Sequence, residues 1–208
     1  MWHNTHEGVD IMELKNSQTK IILMRAFAGE CQAQNRYLIA ADTAKQQKLN
    51  VIERLFRFTA LQEHQHARIF QELLGECAGE SVEITADFPV DVSGDIQQLL
   101  DLAARDEKHE AETVYPEFAR IAAEEGFLPA AEKLRAIAEI EETHRQRFER
   151  FAQLWREGML FRSDSTEQQW VCLNCGHIHT GSEPPSECPV CSFPQGYSIR
   201  REDTWKML

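Results

Sequence analysis

The chain has 208 residues, of which 42% are hydrophobic and 27% charged, a composition typical of globular proteins that excludes fibrous and disordered classes. Lys and Arg number 22 against 34 Asp and Glu, for a formal net charge of −12. We therefore expect neither nucleic acid nor an anionic membrane as a partner, since both attract clustered positive charge. No apolar run approaches the ~20 residues of a membrane span, and no signal-peptide pattern precedes Lys15, which favours a cytoplasmic protein.

Four long helices are predicted, over residues 17–48, 50–77, 93–126 and 129–158. The third is expected to begin at an N-cap, either Ser93 or Asp95. A longer stretch with Gly79, Pro89 and the β-favouring run 82–84 connects the second helix to the third. Short connections within each pair and a long one between them predict a mainly α fold, a four-helix bundle of two antiparallel hairpins.

The composition changes after the fourth helix. Residues 1–16, including His3 and His6, are expected to form a mobile N-terminal extension, and residues 17–158 form the bundle. A polar linker over 159–169 then leads to a small module, 170–208, which is rich in Cys and Pro. A module of this size needs a staple such as a metal ion, because its core is too small to stabilise it alone.

Four cysteines of that module form two C-x-x-C pairs, Cys172 with Cys175 and Cys188 with Cys191, twelve residues apart. This spacing predicts a tetrathiolate site for zinc or iron. Thiolate chemistry alone does not separate a structural zinc site from a one-iron redox centre. The two remaining cysteines, Cys31 and Cys77, lie singly in helical patterns and are expected to behave as small hydrophobic residues.

Each predicted helix also places at least one carboxylate on its apolar stripe. These residues are Glu30 in the first helix, Glu63 in the second, Glu107 and Glu110 in the third, and Glu141 in the fourth. Buried carboxylates repel one another unless they are protonated or compensated by cations, and the stripes contain no inward Lys or Arg. Metal ions are the expected compensation.

The second and fourth helices each continue the pattern with a histidine. Glu63-x-x-His66 and Glu141-x-x-His144 put a carboxylate and an imidazole on one helical face. Two such motifs, with one further Glu from each of the other two helices, form a dinuclear iron or manganese site in bundle cores. In this arrangement Glu30 and Glu107 are the single carboxylates expected to bridge the metals.

The sequence resembles the rubrerythrin family. The resemblance rests on AFAGECQAQNRY at 26–37, EHQHA at 63–67, EKHE at 107–110, YPEFA at 115–119, EETH at 141–144 and the Cys module from Trp170 to Cys191. It implies a ferritin-like di-iron bundle followed by a small rubredoxin-like domain. Cys31 departs from the family, which usually has Ser at this position, but no ligand is lost.

The resemblance implies a peroxidase that reduces hydrogen peroxide to water, with electrons relayed through the rubredoxin-like iron. They would come from NADH through a donor protein such as rubredoxin or a reductase. The implied di-iron ligands are Glu30, Glu63, His66, Glu107, Glu110, Glu141 and His144, and the single iron is held by Cys172, Cys175, Cys188 and Cys191. One iron is expected to exchange His66 for Glu110 on oxidation. Glu110, Tyr37 and Tyr115 are the predicted catalytic residues.

Two alternatives remain at this point: a ferroxidase or iron-storage bundle with a structural metal knuckle, and a structural bundle with protonated carboxylates. Assembly is a further expectation. At ~1.5 Å per residue the fourth helix ends roughly 20 Å beyond His144, which would separate the Cys module from the di-iron site of its own chain. A head-to-tail homodimer, which the resemblance also implies, would bring one chain's thiolate iron next to its partner's carboxylate site.

Overall fold

The chain folds into a helical bundle followed by a small β module, and its computed structural model describes residues 12–207. His3, His6 and the rest of residues 1–11 lie outside this range. The bundle helices are α1 (Gln18–Gln46), α2 (Asn50–Leu73), α3 (Ile96–His109), α4 (Tyr115–Glu124) and α5 (Leu128–Arg156). Short 3-10 helices cover Leu14–Asn16 and Gly75–Cys77. The predicted mainly α fold is confirmed.

The third predicted helix is interrupted by a π-helical segment, Glu110–Val114, which separates α3 from α4. The sequence pattern did not reveal this segment. Asp95 is the N-cap, because its carboxylate accepts a hydrogen bond of 2.9 Å from the backbone N–H of Gln98. Pro116, at the start of α4, has no N–H to continue the regular hydrogen-bond ladder. Segments of this kind are frequent at functional sites.

Two apolar clusters fill the two ends of the bundle. One contains the C-terminal half of α1, the start of α2, most of α3 and the end of α5, with Phe56 and Phe148 at its centre. The other contains the start of α1, the end of α2, α4 and the start of α5, with Phe70 and Leu134 fully buried. The helix directions follow from this: α2 and α5 are antiparallel, and the polar residues of the stripes lie between the two clusters.

The crossover segment, residues 78–95, runs along the bundle from one end to the other without regular helix or strand. The β-favouring run 82–84 forms no strand. Arg36 of α1 holds this segment through an ion pair with Asp91, and it also pairs with Asp106 of α3 at 2.6 Å. All three side chains are largely buried, so the network fixes the crossover segment against α1 and α3.

The C-terminal module is a three-stranded antiparallel sheet of order β2-β1-β3, with β1 (Gln169–Cys172), β2 (Ile178–Thr180) and β3 (Ser198–Arg200). It packs on the end of the bundle where α2 begins. Ile199 belongs to the apolar cluster at that end, and the guanidinium of Arg150 in α5 donates two hydrogen bonds to the Asp203 carboxylate. A Cβ at Gly196 would clash with the backbone carbonyl of Lys48, so only glycine fits.

Residues 159–169, predicted to be a linker, contact both parts of the molecule. Leu160 is buried in the apolar cluster at that end of the bundle. Ser163 donates a backbone hydrogen bond of 2.7 Å to the Ser182 carbonyl in the module. No helix in residues 12–207 is long and apolar enough to cross a bilayer.

Candidate metal centres

The six Glu and His residues predicted from the E-x-x-H motifs and the single carboxylates meet between the two apolar clusters. All six are buried: Glu30, Glu63, His66, Glu107, Glu141 and His144. They form two groups of four, in each of which one ligand atom per residue lies within 4.8 Å of the others. The helical repeat explains the convergence, because residues three apart on α2 and on α5 point to the same side.

The first group surrounds the imidazole of His66. Its Nδ1 lies 3.1 Å from Glu63 Oε2, 2.9 Å from Glu141 Oε1 and 3.7 Å from Glu30 Oε1. Three helices, α1, α2 and α5, therefore supply one compact set of an imidazole nitrogen and three carboxylate oxygens.

The second group surrounds His144 in the same manner. Its Nδ1 lies 2.7 Å from Glu141 Oε2, 3.0 Å from Glu63 Oε1 and 3.6 Å from Glu107 Oε2. The two imidazole rings stack with centroids 5.7 Å apart and an interplanar angle of 17°. The site is thus close to two-fold symmetric.

Glu63 and Glu141 belong to both groups, whereas Glu30 and Glu107 each belong to one. The expectation that Glu30 and Glu107 would bridge the metals is therefore wrong. The physical reason is the antiparallel packing of α2 and α5, which places the Glu of each E-x-x-H motif between its own His and the opposite one. Glu63 and Glu141 would thus be available to both metal ions, whereas Glu30 and Glu107 would each be available to one.

The potential metal-ligand atoms lie close together, but many of them form no hydrogen bond. Glu30 Oε2, Glu107 Oε2, both oxygens of Glu141 and both ring nitrogens of His144 are buried without a hydrogen-bond partner among the described residues. Buried polar groups are normally paired, since an unpaired one costs about 1–3 kcal/mol. Oxygen and imidazole donors of this kind suit divalent iron or manganese. The residues present fit a pair of metal ions, to which the carboxylate oxygens and one nitrogen of each imidazole would bind.

Without metal, Glu30 and Glu107 favour protonation. Burial raises the pKa of Glu30 well above its ordinary value, and burial with the nearby Glu63 raises the pKa of Glu107 to about 8. The pKa of Glu63 falls, because the nearby charges of His144 and His66 and the hydrogen bond with His66 outweigh its burial. Metal binding would release the protons held here, as at other carboxylate sites.

Two tyrosines hold Glu107 and Glu30 from opposite sides. Tyr37 of α1 donates its hydroxyl to Glu107 Oε1, and Tyr115 of α4 donates to Glu30 Oε1. Each belongs to a different apolar cluster. Burial raises the pKa of both phenols well above the ordinary value, so both stay protonated donors.

Glu110 lies outside both groups of four. It is the first residue of the π segment, and its side chain is partly exposed in a cleft beside the site. Desolvation, followed by the charges of Glu30 and Glu107, raises its pKa well above the ordinary value. The structure therefore places Glu110 next to the two groups, whereas His66 belongs to one of them.

Arg147, one helical turn after His144, is a buried cation that the stripes did not predict. It donates to Thr59 Oγ1 at 2.9 Å and to Gln62 Oε1 at 2.8 Å, and it lies over the ring of Phe58. The expectation that no arginine points inward therefore needs correction. Its i+3 spacing from His144 was the available signal. Because it makes no hydrogen bond to the carboxylates, most of their charge remains for metal ions.

The remaining single residues stay outside the two groups. His64 and His109 are exposed. Cys77 is buried in an apolar cluster, and Cys31 is half-buried next to Glu30.

The four module cysteines form a second site. Cys172 Sγ lies 3.7 Å from Cys191 Sγ, and Cys175 Sγ lies 3.6 Å from Cys188 Sγ. A tetrahedron with metal–sulfur bonds of ~2.3 Å has edges of about 3.75 Å, so these spacings fit one metal ion. Hydrogen bonds from Asn174 and from the backbone N–H of Phe193 lower the pKa of Cys191 to about 6, which favours the thiolate.

Two equivalent turns build this site. Gly176 donates its N–H to the Cys172 carbonyl at 2.8 Å, and Ser192 donates to the Cys188 carbonyl at 2.9 Å. Both residues have a positive φ, 77° and 58°. Cys172 and Cys188 are buried, whereas Cys175 is exposed, so one side of the site faces solvent.

Comparison with known proteins gives consistent matches. The rubrerythrin family model matches residues 22–152, and the model of the rubredoxin-like domain of rubrerythrin matches residues 170–197. The chain is 41% identical to rubrerythrin of Clostridium perfringens and 40% identical to rubrerythrin of Nitratidesulfovibrio vulgaris, each over 88% of this chain and 94% of the relative. Among solved structures, nigerythrin in a partially reduced state aligns with a TM-score of 0.59 and 26% identity, covering 92% of this chain and 90% of the other.

Proposed function

Because the chain belongs to the rubrerythrin family, we propose that it reduces hydrogen peroxide to water with electrons that enter at the four-cysteine site. The observation that carries this proposal is the presence of two donor sets in one chain, one of carboxylates and imidazoles and one of thiolates. A storage bundle has no need of a thiolate iron. The reaction balances as one peroxide, two electrons and two protons giving two waters.

The cofactors are a di-iron centre and one iron held by four cysteines, as predicted. When bound, the two irons supply the electrons that break the peroxide O–O bond. Glu30, Glu63, His66, Glu107, Glu141 and His144 would hold them, with Glu110 as a further ligand within reach of the His66 side.

The chain's own residues orient the carboxylates of the site and place a polar group where the site meets the cleft. The hydroxyls of Tyr37 and Tyr115 fix the orientation of Glu107 and Glu30, so we propose both as positioning residues. Glu110 is the carboxyl group of this set that also lines the solvent-facing cleft. We propose that peroxide reaches the site past Glu110.

Electrons would enter at the exposed side of the cysteine module. Cys175 is exposed there, and the apolar side chains of Val190 and Phe193 flank Cys191 with 67% and 36% of their surface accessible. Such a small apolar patch beside a redox centre suits transient docking of a donor protein such as rubredoxin or an NADH-dependent reductase. A cytoplasmic location, where such donors and free thiols occur, stays a prediction.

We further propose a head-to-tail homodimer in which one chain's cysteine site serves the partner's carboxylate site. Within one chain the module contacts the start of α2, where Arg54 donates to the Leu173 carbonyl at 2.6 Å. Glu63 lies nine residues further along α2, roughly 13 Å by helix rise. Along α2, the cysteine module and the carboxylate site of one chain are therefore closer than the sequence suggested. A relay within one chain is the route that competes with a relay between chains.

Heterodimers of Glu141→Ala and Cys172→Ser chains provide this test. One interface would pair an intact cysteine site with an intact carboxylate site, so activity should return if the relay runs between chains. Verified heterodimers that stay inactive would assign the relay to a single chain.

The function itself is tested by anaerobic turnover. The iron-loaded protein, supplied with NADH, a reductase and rubredoxin, should consume peroxide with two electrons per molecule. A ferroxidase or storage protein would instead oxidise added ferrous iron, retain more than three irons per chain and turn over peroxide slowly, which would contradict the proposal.

A further inference from the structure

A cleft of about 730 Å³ lies between α1, the crossover segment and the π segment with the start of α4. Ala26 and Gly29 of α1 line it together with Phe88 of the crossover segment and Phe118 of α4. The network of Arg36 with Asp91 and Asp106 holds the crossover segment in place beside it. The cleft is thus a feature of the tertiary fold.

One end of the cleft reaches the carboxylate site. Glu110 and Tyr115 both line it, and Tyr115 donates its hydroxyl to Glu30. On the opposite side of the site, Tyr37 is buried in an apolar cluster and does not line the cleft. A molecule in the cleft can therefore approach the site from the Glu30 side.

The cleft is larger than hydrogen peroxide requires. A water molecule occupies about 30 Å³ in the liquid, and peroxide has only one more oxygen atom. Binding sites for small organic molecules are typically about 300–1,000 Å³ and mostly apolar. The cleft has this size, and its walls include Ala26, Val114, Phe88 and Phe118.

The charged groups of the lining indicate the charge of a suitable ligand. Arg25 and Arg105 are accompanied by four acidic groups, Asp87, Asp106, Glu110 and Glu117. Arg105 is already paired with Asp106 at 2.8 Å. Asp106 also pairs with Arg36 at 2.6 Å, and Glu117 pairs with Arg120 at 2.7 Å, so most charges of the lining are already neutralised and a neutral molecule fits best.

We propose that this chain also reduces neutral organic hydroperoxides, with the apolar group in the cleft and the –OOH group at Glu110 and Tyr115. This inference rests on the peroxidase function proposed above. The O–O bond of ROOH breaks, two electrons arrive from the same donor protein through the cysteine site, and two protons from water complete ROH and H₂O. The oxidised product of the donor is the same as with hydrogen peroxide.

Ala86→Trp tests the proposal, because Ala86 lines the cleft from the exposed crossover segment and touches neither metal site. Val90→Trp is the matched control, since Val90 lies four residues further along the same segment, is 85% exposed and is not part of the lining. Wild type and the control should reduce cumene hydroperoxide. Ala86→Trp should lower kcat/KM for this substrate by about tenfold or more, because the apolar pocket loses room for several carbons. It should affect hydrogen peroxide turnover much less, because hydrogen peroxide needs only a small part of the cleft.

Binding provides a second readout that needs no turnover. The zinc-loaded protein should bind 2-phenyl-2-propanol, the alcohol product, in calorimetric titrations, and Ala86→Trp should abolish this binding while Val90→Trp retains it. Wild type that reduces hydrogen peroxide but neither reduces cumene hydroperoxide nor binds the alcohol would overturn the proposal. Alcohol binding in a protein that reduces neither peroxide would instead contradict the peroxidase function and support the cleft as a ligand site.

Discussion

His144 Nδ1 lies 2.7 Å from Oε2 of Glu141, three residues earlier on α5, and yet neither atom has a hydrogen-bond partner among the described residues. Two potential metal-ligand atoms that lie this close without forming a hydrogen bond with each other indicate a site for a metal ion between them. The same relationship recurs across α2 and α5, which is why we assign the centre of the bundle to metal ions.

Replacing Glu141 tests this assignment. Glu141→Ala removes a carboxylate shared by both groups of four, so we expect loss of both bundle irons with retention of the cysteine-bound iron and its colour. Iron analysis and the visible spectrum measure this. Glu142→Ala is the control, because Glu142 pairs with Arg145 on the outer face of the same helix. Three irons per chain in Glu141→Ala would refute the assignment.

Replacing a cysteine tests the second metal site while the bundle site is kept intact. Cys172→Ser should remove one iron and the red colour and should slow turnover driven by the donor protein. The chemically reduced bundle should still react once with peroxide. Cys77→Ser, which changes a buried cysteine remote from both sites, serves as the comparison. An unchanged steady-state rate in Cys172→Ser would show that electrons bypass the module.

Docking of the module on the bundle depends on Gly196. Gly196→Ala introduces a methyl group against the Lys48 carbonyl, and overpacking of this kind costs about 1–3 kcal/mol. Hydrogen exchange should accelerate at residues 195–199 and 47–50, while the iron spectrum of the module is retained. Gly94→Ala meets no atom within 4 Å and should leave exchange unchanged. Equal exchange in both variants would mean that the module is not held at this contact.

Glu125 links the start of α1 to the end of α4. Its carboxylate accepts hydrogen bonds from the backbone of Gln18 at 2.9 Å and from the backbone and hydroxyl of Thr19 at 2.7 and 2.6 Å. These bonds outweigh desolvation and lower its pKa. A lowered folded pKa stabilises the fold above the ordinary Glu value of ~4.3, and this stabilisation disappears as the pH falls through the folded pKa.

Glu125→Gln should therefore destabilise the protein at pH 7 by about 1 kcal/mol, the value for charged hydrogen bonds reduced for partial exposure. Urea unfolding of the metal-free protein should show that the difference from wild type shrinks as the pH is lowered below ~4. Glu124→Gln, whose carboxylate pairs with Arg120 on the surface, provides the control. A difference that stays constant with pH would rule out the charge of Glu125 as its cause.

The sequence was sufficient to identify the buried carboxylates and imidazoles that meet in the bundle, but not to show which of them are shared between the two groups. Glu63, His66, Glu141 and His144 could be found because helical periodicity puts them on apolar stripes, where ionisable groups need a partner. The sharing of Glu63 and Glu141 depends on the antiparallel contact of α2 with α5, which is a tertiary relationship. The π segment at Glu110 and the cleft beneath the crossover segment likewise arise only when distant segments pack together.

The central claim is that electrons pass from the cysteine iron to peroxide at the carboxylate site. It is tested most directly by reducing the iron-loaded protein without oxygen, mixing it rapidly with hydrogen peroxide and following the visible absorbance of the cysteine iron. We predict that the absorbance returns rapidly in wild type and in Glu142→Ala, and that Glu141→Ala stays bleached on the same timescale. Return of the colour at the wild-type rate in Glu141→Ala would contradict the account.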